Sequence, residues 1–224
     1  MCAERLNILE LIPWPKGVVD AQGEHLDQIV EMYIGAYTTG EWEDEEHEPG
    51  SVRKKFTEWI ESPTHWVKVM MVDGKVASFI IYRTIPLCEF SENLANEMEE
   101  VSGVRVSFEK RKEMQNIVDQ LIKEDQKQLN YPQSTNKLAG VVQDIVAVDQ
   151  NQSNSLHLIV ASLDRLIKEQ QVDILAMYTK EGVSTKSIAQ RLGGTIIIQE
   201  GPHVAHAALS SVVQEKMTRY VSRI

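Results

Sequence analysis

The stretch from Gly140 to Gln199 constrains the fold of this chain more than any other, because it reads strand, polar turn, amphipathic helix, strand, short helix, strand. Val141–Val148 (VVQDIVAV) is β-branched and apolar, the composition of a strand. Asp149–Ser155 (DQNQSNS) is wholly polar. Leu156–Gln170 then carries Leu156, Ile159, Val160, Leu163, Leu166 and Ile167 at the 3.6-residue period of a helix that buries one face. Val172–Tyr178 (VDILAMY) predicts the next strand. A strand that returns through a helix lies parallel to its predecessor, so these β-α-β units imply parallel neighbours.

The rest of the chain fits around this block. Leu6–Trp14 (LNILELIPW) predicts a first strand that stops at Pro13 and Pro15. A helix is expected over His25–Tyr37, with Leu26, Ile29, Val30, Tyr33, Ile34 and Tyr37 on one face. Gly40–Gly50 (GEWEDEEHEPG) is an acidic loop, and Ser51 is the expected N-cap of a second helix that ends before Pro63. Asp73-Gly74 joins two strands, His65–Val72 and Lys75–Arg83, into a hairpin. Phe90–Leu129 is polar and helical, with Met114, Ile117, Val118, Leu121 and Ile122 spaced for one buried face. His203–Ile224 reads as a strand, a helix, or one after the other. The expectation is a single α/β domain over residues 1–224, a central mixed twisted sheet flanked by helices, with a helical insertion at about 90–130.

Charge and residue usage exclude several classes. A net charge of −10 is the wrong sign for nonspecific nucleic-acid binding. No apolar run approaches the roughly 20 residues of a membrane-spanning helix. Met1–Ile12 mixes charged and apolar residues, so no targeting segment is read there. Cys2 and Cys88 match no metal or redox spacing, which points to a reducing, cytoplasmic setting. His203 and His206 lie three apart without a cysteine or carboxylate neighbour, and no metal is expected. There is no Gly-x-x-x-x-Gly-Lys phosphate loop and no Gly-x-Ser-x-Gly elbow.

The strand-turn-helix-strand block, the turn Asp149–Ser155, the segment Val183–Gly194 (VSTKSIAQRLGG) and the pair Glu48-Pro49 together resemble the GNAT superfamily of N-acetyltransferases. The long helical insertion and Pro202-His203 are most similar to the arylalkylamine branch of invertebrates. The resemblance implies acetyl-coenzyme A as co-substrate, its pyrophosphate at a helix N-terminus, where free backbone N–H groups and the helix dipole favour an anion. Val146, Ala147 and Val148 would meet the pantetheine arm, and Ser153, Asn154, Ser155 and Leu156 the pyrophosphate. The family carries glycines and an arginine in this turn; here Ser153 stands near the arginine position, and Asn154 and Leu156 stand for the glycines.

Counting back from Gly193, the position of the family's frequent general-acid tyrosine is Ala189, and Gly194 replaces an aromatic residue. The arylalkylamine branch tends to use serines at the start of this helix, which makes Ser184 and Ser187 catalytic candidates, beside a plain capping role. Glu48, followed by Pro49, would be the general base that deprotonates the acceptor ammonium, with His47 as a rival. Trp42, Trp59, Trp66 and Tyr37 flank the acidic loop, either as an aromatic pocket for an ammonium ion or as core.

The function implied is transfer of an acetyl group to a primary amine of a small molecule, by direct attack in a ternary complex. The alternative is a catalytically degenerate relative that binds an acyl-coenzyme A, another ligand or a protein without acetyl transfer.

Overall fold

The computed structural model describes residues 11–39, 48–128, 137–147, 152–180 and 184–221. Seven strands form one sheet in the order β1-β2-β3-β4-β5-β7-β6. They are β1 (Val18–Asp20), β2 (His65–Val72), β3 (Lys75–Pro86), β4 (Leu138–Ala147), β5 (Ile174–Lys180), β6 (Thr195–Glu200) and β7 (His203–Leu209). The helices are α1 (Leu26–Thr39), α2 (Pro49–Glu61), α3 (Phe90–Ser102), α4 (Phe108–Gln128), α5 (Gln152–Lys168), α6 (Ser184–Arg191) and α7 (Ser210–Val221). The mixed sheet flanked by helices is the architecture the sequence implies.

The β2–β3 hairpin forms as read, with Asp73 and Gly74 both at positive φ, the signature of a tight two-residue turn. β4 and β5 are parallel neighbours, as their helical crossover demands. The next crossover departs from expectation. β6 runs parallel to β5 but does not touch it, because β7 folds back antiparallel between them and pairs with both. The open C-terminal reading resolves into β7 followed directly by α7.

Three boundaries also differ. Residues 11–15 form no strand, and the first described strand is the three-residue edge Val18–Asp20. The remainder of the expected Leu6–Trp14 strand lies outside the described residues. The helical insertion is two helices, split where Gly103 takes φ 65 at the end of α3. The second helix is capped not by Ser51 but by Glu48, whose carboxylate accepts from Ser51 N at 2.6 Å; Pro49 in the first turn has no N–H to leave unpaired.

Strand alternation divides the core by sheet face. On one face Ile80, Tyr82, Val142, Leu175 and Met177 pack against α5, α6 and α7. The opposite face carries two clusters. Phe79, Ile81 and Val69 lie under α1 and α2 with Ile29, Tyr33 and Phe56. Ala139, Val141 and Ala176 lie under the insertion with Phe90, Leu94, Met98 and Met114. Small residues dominate the strands beneath the insertion and let its helices come close. Gly140 is tight on the other face, against α5: a Cβ there would sit 2.9 Å from Leu175 and 3.0 Å from Leu166.

Polar groups fill the seam between these two clusters. Arg83 of β3 pairs with Glu97 of α3, both largely buried. Tyr178 of β5 donates to the Leu94 carbonyl at 2.7 Å, and Lys55 of α2 reaches Glu100 at 3.8 Å. His65 stacks on Trp59 with ring centroids 5.9 Å apart; burial, and then the Arg83 charge, lower its pKa to about 4.

Two predictions follow from this seam. Glu97→Ala strands the Arg83 guanidinium and is expected to cost about 3 kcal/mol in urea unfolding, whereas replacing both partners with apolar residues costs less. An equal loss from the double replacement would show that the pair does not hold the insertion. The depressed His65 pKa means the unfolded chain binds the extra proton first. Stability present above about pH 6.5 is therefore lost as pH falls toward about 4. His65→Gln should flatten that part of the stability–pH curve.

Candidate functional site

The sheet opens between its two central strands. β4 and β5 share rungs from Ala139↔Ile174 to Val142↔Met177 and no further. Beyond them β4 stays paired to β3 as far as Ser78↔Ala147, and β5 stays paired to β7 as far as Lys180↔His203. Each strand is held by its outer neighbour, so the ladder between them ends in a wedge that widens from Gln143 and Tyr178 toward Ala147 and Lys180. Alternate backbone groups of a strand point at each neighbour, and here those on the inner side face the gap.

α5 starts at the wide end. It begins at Gln152, so the last four residues of the turn read from sequence are its first helical turn. Their N–H groups lack partners within the helix. The first turn has no acidic residue, and Arg165 and Lys168 sit in the last turn, the polarity that complements the helix dipole and leaves the N-terminus to an anion.

A strap from the N-terminal segment fixes this helix. Ile12 N donates to Asp164 at 2.8 Å, Arg165 donates back to the Ile12 carbonyl at 2.9 Å, and His157 Nε2 donates to the Pro13 carbonyl at 2.9 Å. The Trp14 ring lies 4.2 Å from the Arg165 guanidinium and 5.5 Å from Lys68 Nζ.

The expected site residues distribute over this geometry as follows. Val146 and Ala147 form the free end of β4, with Val146 buried under α1 and α2, and Ser153–Leu156 lie in the first turn and a half of α5. Val148 lies outside the described residues, as do Trp42 and His47. Glu48 is exposed at the start of α2; hydrogen bonds from the Gly50 and Ser51 backbone, then the Ser51 hydroxyl, hold its pKa below the usual value. Ser184 opens α6 and Ser187 is exposed one turn on. Glu48 and these serines thus belong to helices on opposite faces of the sheet. The aromatic cluster divides as well. Tyr37 and Trp59 are core under α1 and α2, while Trp66 stacks on Tyr82 of the other face, 5.4 Å between centroids.

Ala189 is 4% exposed and part of the core, so the family's tyrosine position turns inward here. Gly194 is explained by what lies beside it. A Cβ would meet the Ala189 carbonyl oxygen at 2.8 Å and His206 Cβ at 3.1 Å. His206, opposite Met177 on β7, is 1% exposed, and neither ring nitrogen makes a hydrogen bond. Burial, and then the Lys186 charge, lower its pKa.

Sequence reasoning missed the polar pair in the middle of β4. Asp144 accepts from the Tyr37 hydroxyl of α1 at 2.6 Å. Gln143 has no partner on β3: Tyr82 pairs with Val142 and Ile81 with Asp144, so Gln143 is the extra residue of a β-bulge. Its Oε1 is buried and takes no hydrogen bond. The signal was present as two adjacent polar residues inside VVQDIVAV, a strand otherwise apolar on both faces.

Gly194→Ala should place a methyl against backbone and is expected to cost about 1–3 kcal/mol, measured by chemical unfolding. The double variant Gly194→Ala/His206→Ala should cost less than the sum of the singles, so strict additivity would remove His206 from this account.

No protein-family model matches the chain, and no curated sequence does. Solved structures do. FdhC, described as a nucleotide-linked sugar GNAT, aligns with a TM-score of 0.55 at 6% identity, covering 91% of this chain and 92% of its own. Arabidopsis thaliana NAA60, solved in complex with acetyl-CoA, aligns with a TM-score of 0.53 at 8% identity over 86% and 97%. An uncharacterized protein of Bacillus halodurans aligns with a TM-score of 0.51 at 9% identity over 91% and 88%. The order of the sheet, its central wedge and these likenesses together identify the fold as that of the GNAT acyl-CoA N-acyltransferases.

Proposed function

We propose that the protein transfers an acetyl group from acetyl-coenzyme A to a primary amine of a small molecule, by direct attack within a ternary complex. The observation that carries this reading is the wedge between β4 and β5 with the N-terminus of α5 at its wide end. A linear acyl donor with an anionic head fits such a gap in one direction. Its pyrophosphate meets the N–H groups around Ser153, Asn154, Ser155 and Leu156. Its amide-bearing arm runs along the open edge of Val146 and Ala147, where strand-like hydrogen bonds can form, with Val148 assigned from the sequence resemblance alone. The thioester then lies toward the narrow end.

The acceptor nitrogen must lose a proton to attack, and the thiolate must gain one to leave. Glu48 is the proposed base, on the sequence resemblance; the hydrogen bonds that cap α2 lower its pKa, so it accepts a proton only while the acceptor amine holds it against the carboxylate. Ser184 and Ser187 on the other face are proposed to hydrogen-bond the departing sulfur or order a water beside it. The arylalkylamine class is the acceptor suggested by the sequence resemblance.

Calorimetric titration with acetyl-coenzyme A, followed by thiol release with a panel of arylalkylamines, tests the reading. Absence of binding at high micromolar ligand overturns it, and binding without turnover favours a non-catalytic acyl-coenzyme A binder. Ser153→Asp gives a sharper check. An acidic residue in the first turn favours the helix, but at about 5 Å from the pyrophosphate it repels it by roughly 3 kcal/mol. The variant should melt no lower than the parent and bind acetyl-coenzyme A at least about tenfold more weakly. Glu48→Gln should lower kcat about a hundredfold if Glu48 is the base, and leave it unchanged if the residue only caps α2.

A further inference from the structure

We propose that His157 is a positioning residue for the coenzyme: through the strap at Ile12–Trp14 it fixes how far the first turn of α5 stands from the free edge of β4. This rests on the acetyl-transfer reading and adds to it the contact that sets the dimensions of the site. The donor is one molecule with two parts to place. Its pyrophosphate is assigned to α5 and its amide-bearing arm to β4, so its affinity depends on the spacing between the two elements. That spacing is set by whatever holds α5 over the sheet.

α5 packs on β3 and β4, with α7 against it. The strap ties it to the β1–β2 edge. At one end Ile12 and Pro13 bond to Asp164, Arg165 and His157 of the helix. At the other end Val18 N of β1 donates to the Pro15 carbonyl at 3.2 Å, and Met71 N of β2 donates to the Gly17 carbonyl at 3.0 Å. Between them the Trp14 ring lies 6.3 Å from that of Tyr82 on β3. Pro13 and Pro15 each fix a backbone φ, so the strap has little slack. Of its ties to α5, His157 is the nearest to the coenzyme, one helical turn after Ser153. The ties at Asp164 and Arg165 grip the helix about two turns further on. Without His157 the far half of α5 stays anchored while its first turns are free to pivot. The Pro13 carbonyl can only accept, so Nε2 of His157 carries the proton of this bond.

The test uses the full chain in calorimetric titrations with acetyl-coenzyme A and with acetylpantetheine, the same donor without its pyrophosphate and nucleotide. His157→Ala should weaken acetyl-coenzyme A about fivefold or more and leave acetylpantetheine within about twofold, since the arm alone does not bridge the two elements. His157→Gln, which keeps an N–H donor at similar reach, should restore the parent's Kd. A merely structural role would lower the melting temperature and weaken both donors alike. The coupling also runs in reverse: saturating acetyl-coenzyme A should slow hydrogen exchange of the Ile12 amide about fivefold or more. That readout is made on the parent protein and carries the test if His157→Ala does not fold.

An unchanged Kd for acetyl-coenzyme A in His157→Ala overturns the proposal. So does equal weakening of the two donors, and so does Ile12 exchange that the coenzyme leaves unaltered. In all three cases the parent binds acetyl-coenzyme A, so the acetyl-transfer reading survives. A parent that binds no acetyl-coenzyme A overturns that reading, and the positioning role with it.

Discussion

The structure depends on where one ladder stops. β4 and β5 begin as parallel partners, but beyond Val142 and Met177 they share no rung, while each stays paired with its outer neighbour. The outer pairings use the opposite edge of each strand, so they hold both strands in place while the edges that face each other carry no ladder. The outer pairings hold the halves of the sheet apart, and the open backbone edges between them are the price of a binding cleft in the centre of a continuous sheet.

Everything placed around the wedge serves one of its sides. α5, anchored by the strap at Ile12–Trp14, presents a helix terminus at its wide end. The insertion covers β5, β6, β7, the start of β4 and the end of β3 on one face, and α1 and α2 cover β2 and the rest of β3 and β4. The seam where they meet is polar, with Arg83, Glu97, Tyr178 and His65 buried along it. A sheet face shared by two separately packed helical units meets at such a seam, because neither apolar cluster extends across it.

Local patterns carried the hairpin, the β4-α5-β5 crossover and the buried faces of α1, α2 and α5, since each is set by residues close in sequence. Three kinds of information were not legible. The placement of β7 between β5 and β6 is a choice of strand neighbour, and apolar alternation is blind to neighbours. The cap of α2 fell to Glu48 because Pro49 favours a helix start one residue after it, which shifts the frame away from Ser51. The polar pair on β4 acquires meaning only through Tyr37, which is 107 positions away, and through a bulge that appears when strand registers are compared. Gly194, which replaces an aromatic residue in the resemblance, sits where a Cβ would meet the Ala189 carbonyl at 2.8 Å and His206 of another strand at 3.1 Å.

The strap has a further consequence, for the order in which the fold is completed. Its hydrogen bonds join residues 144 to 153 positions apart, among the longest loops the chain closes. Contacts of such separation form after local ones, since their closure entropy must be met by structure already in place. On a ribosome the strap waits, unpaired, until α5 has been made. α5 is therefore tied down by residues 12–14 only once its own residues have been made.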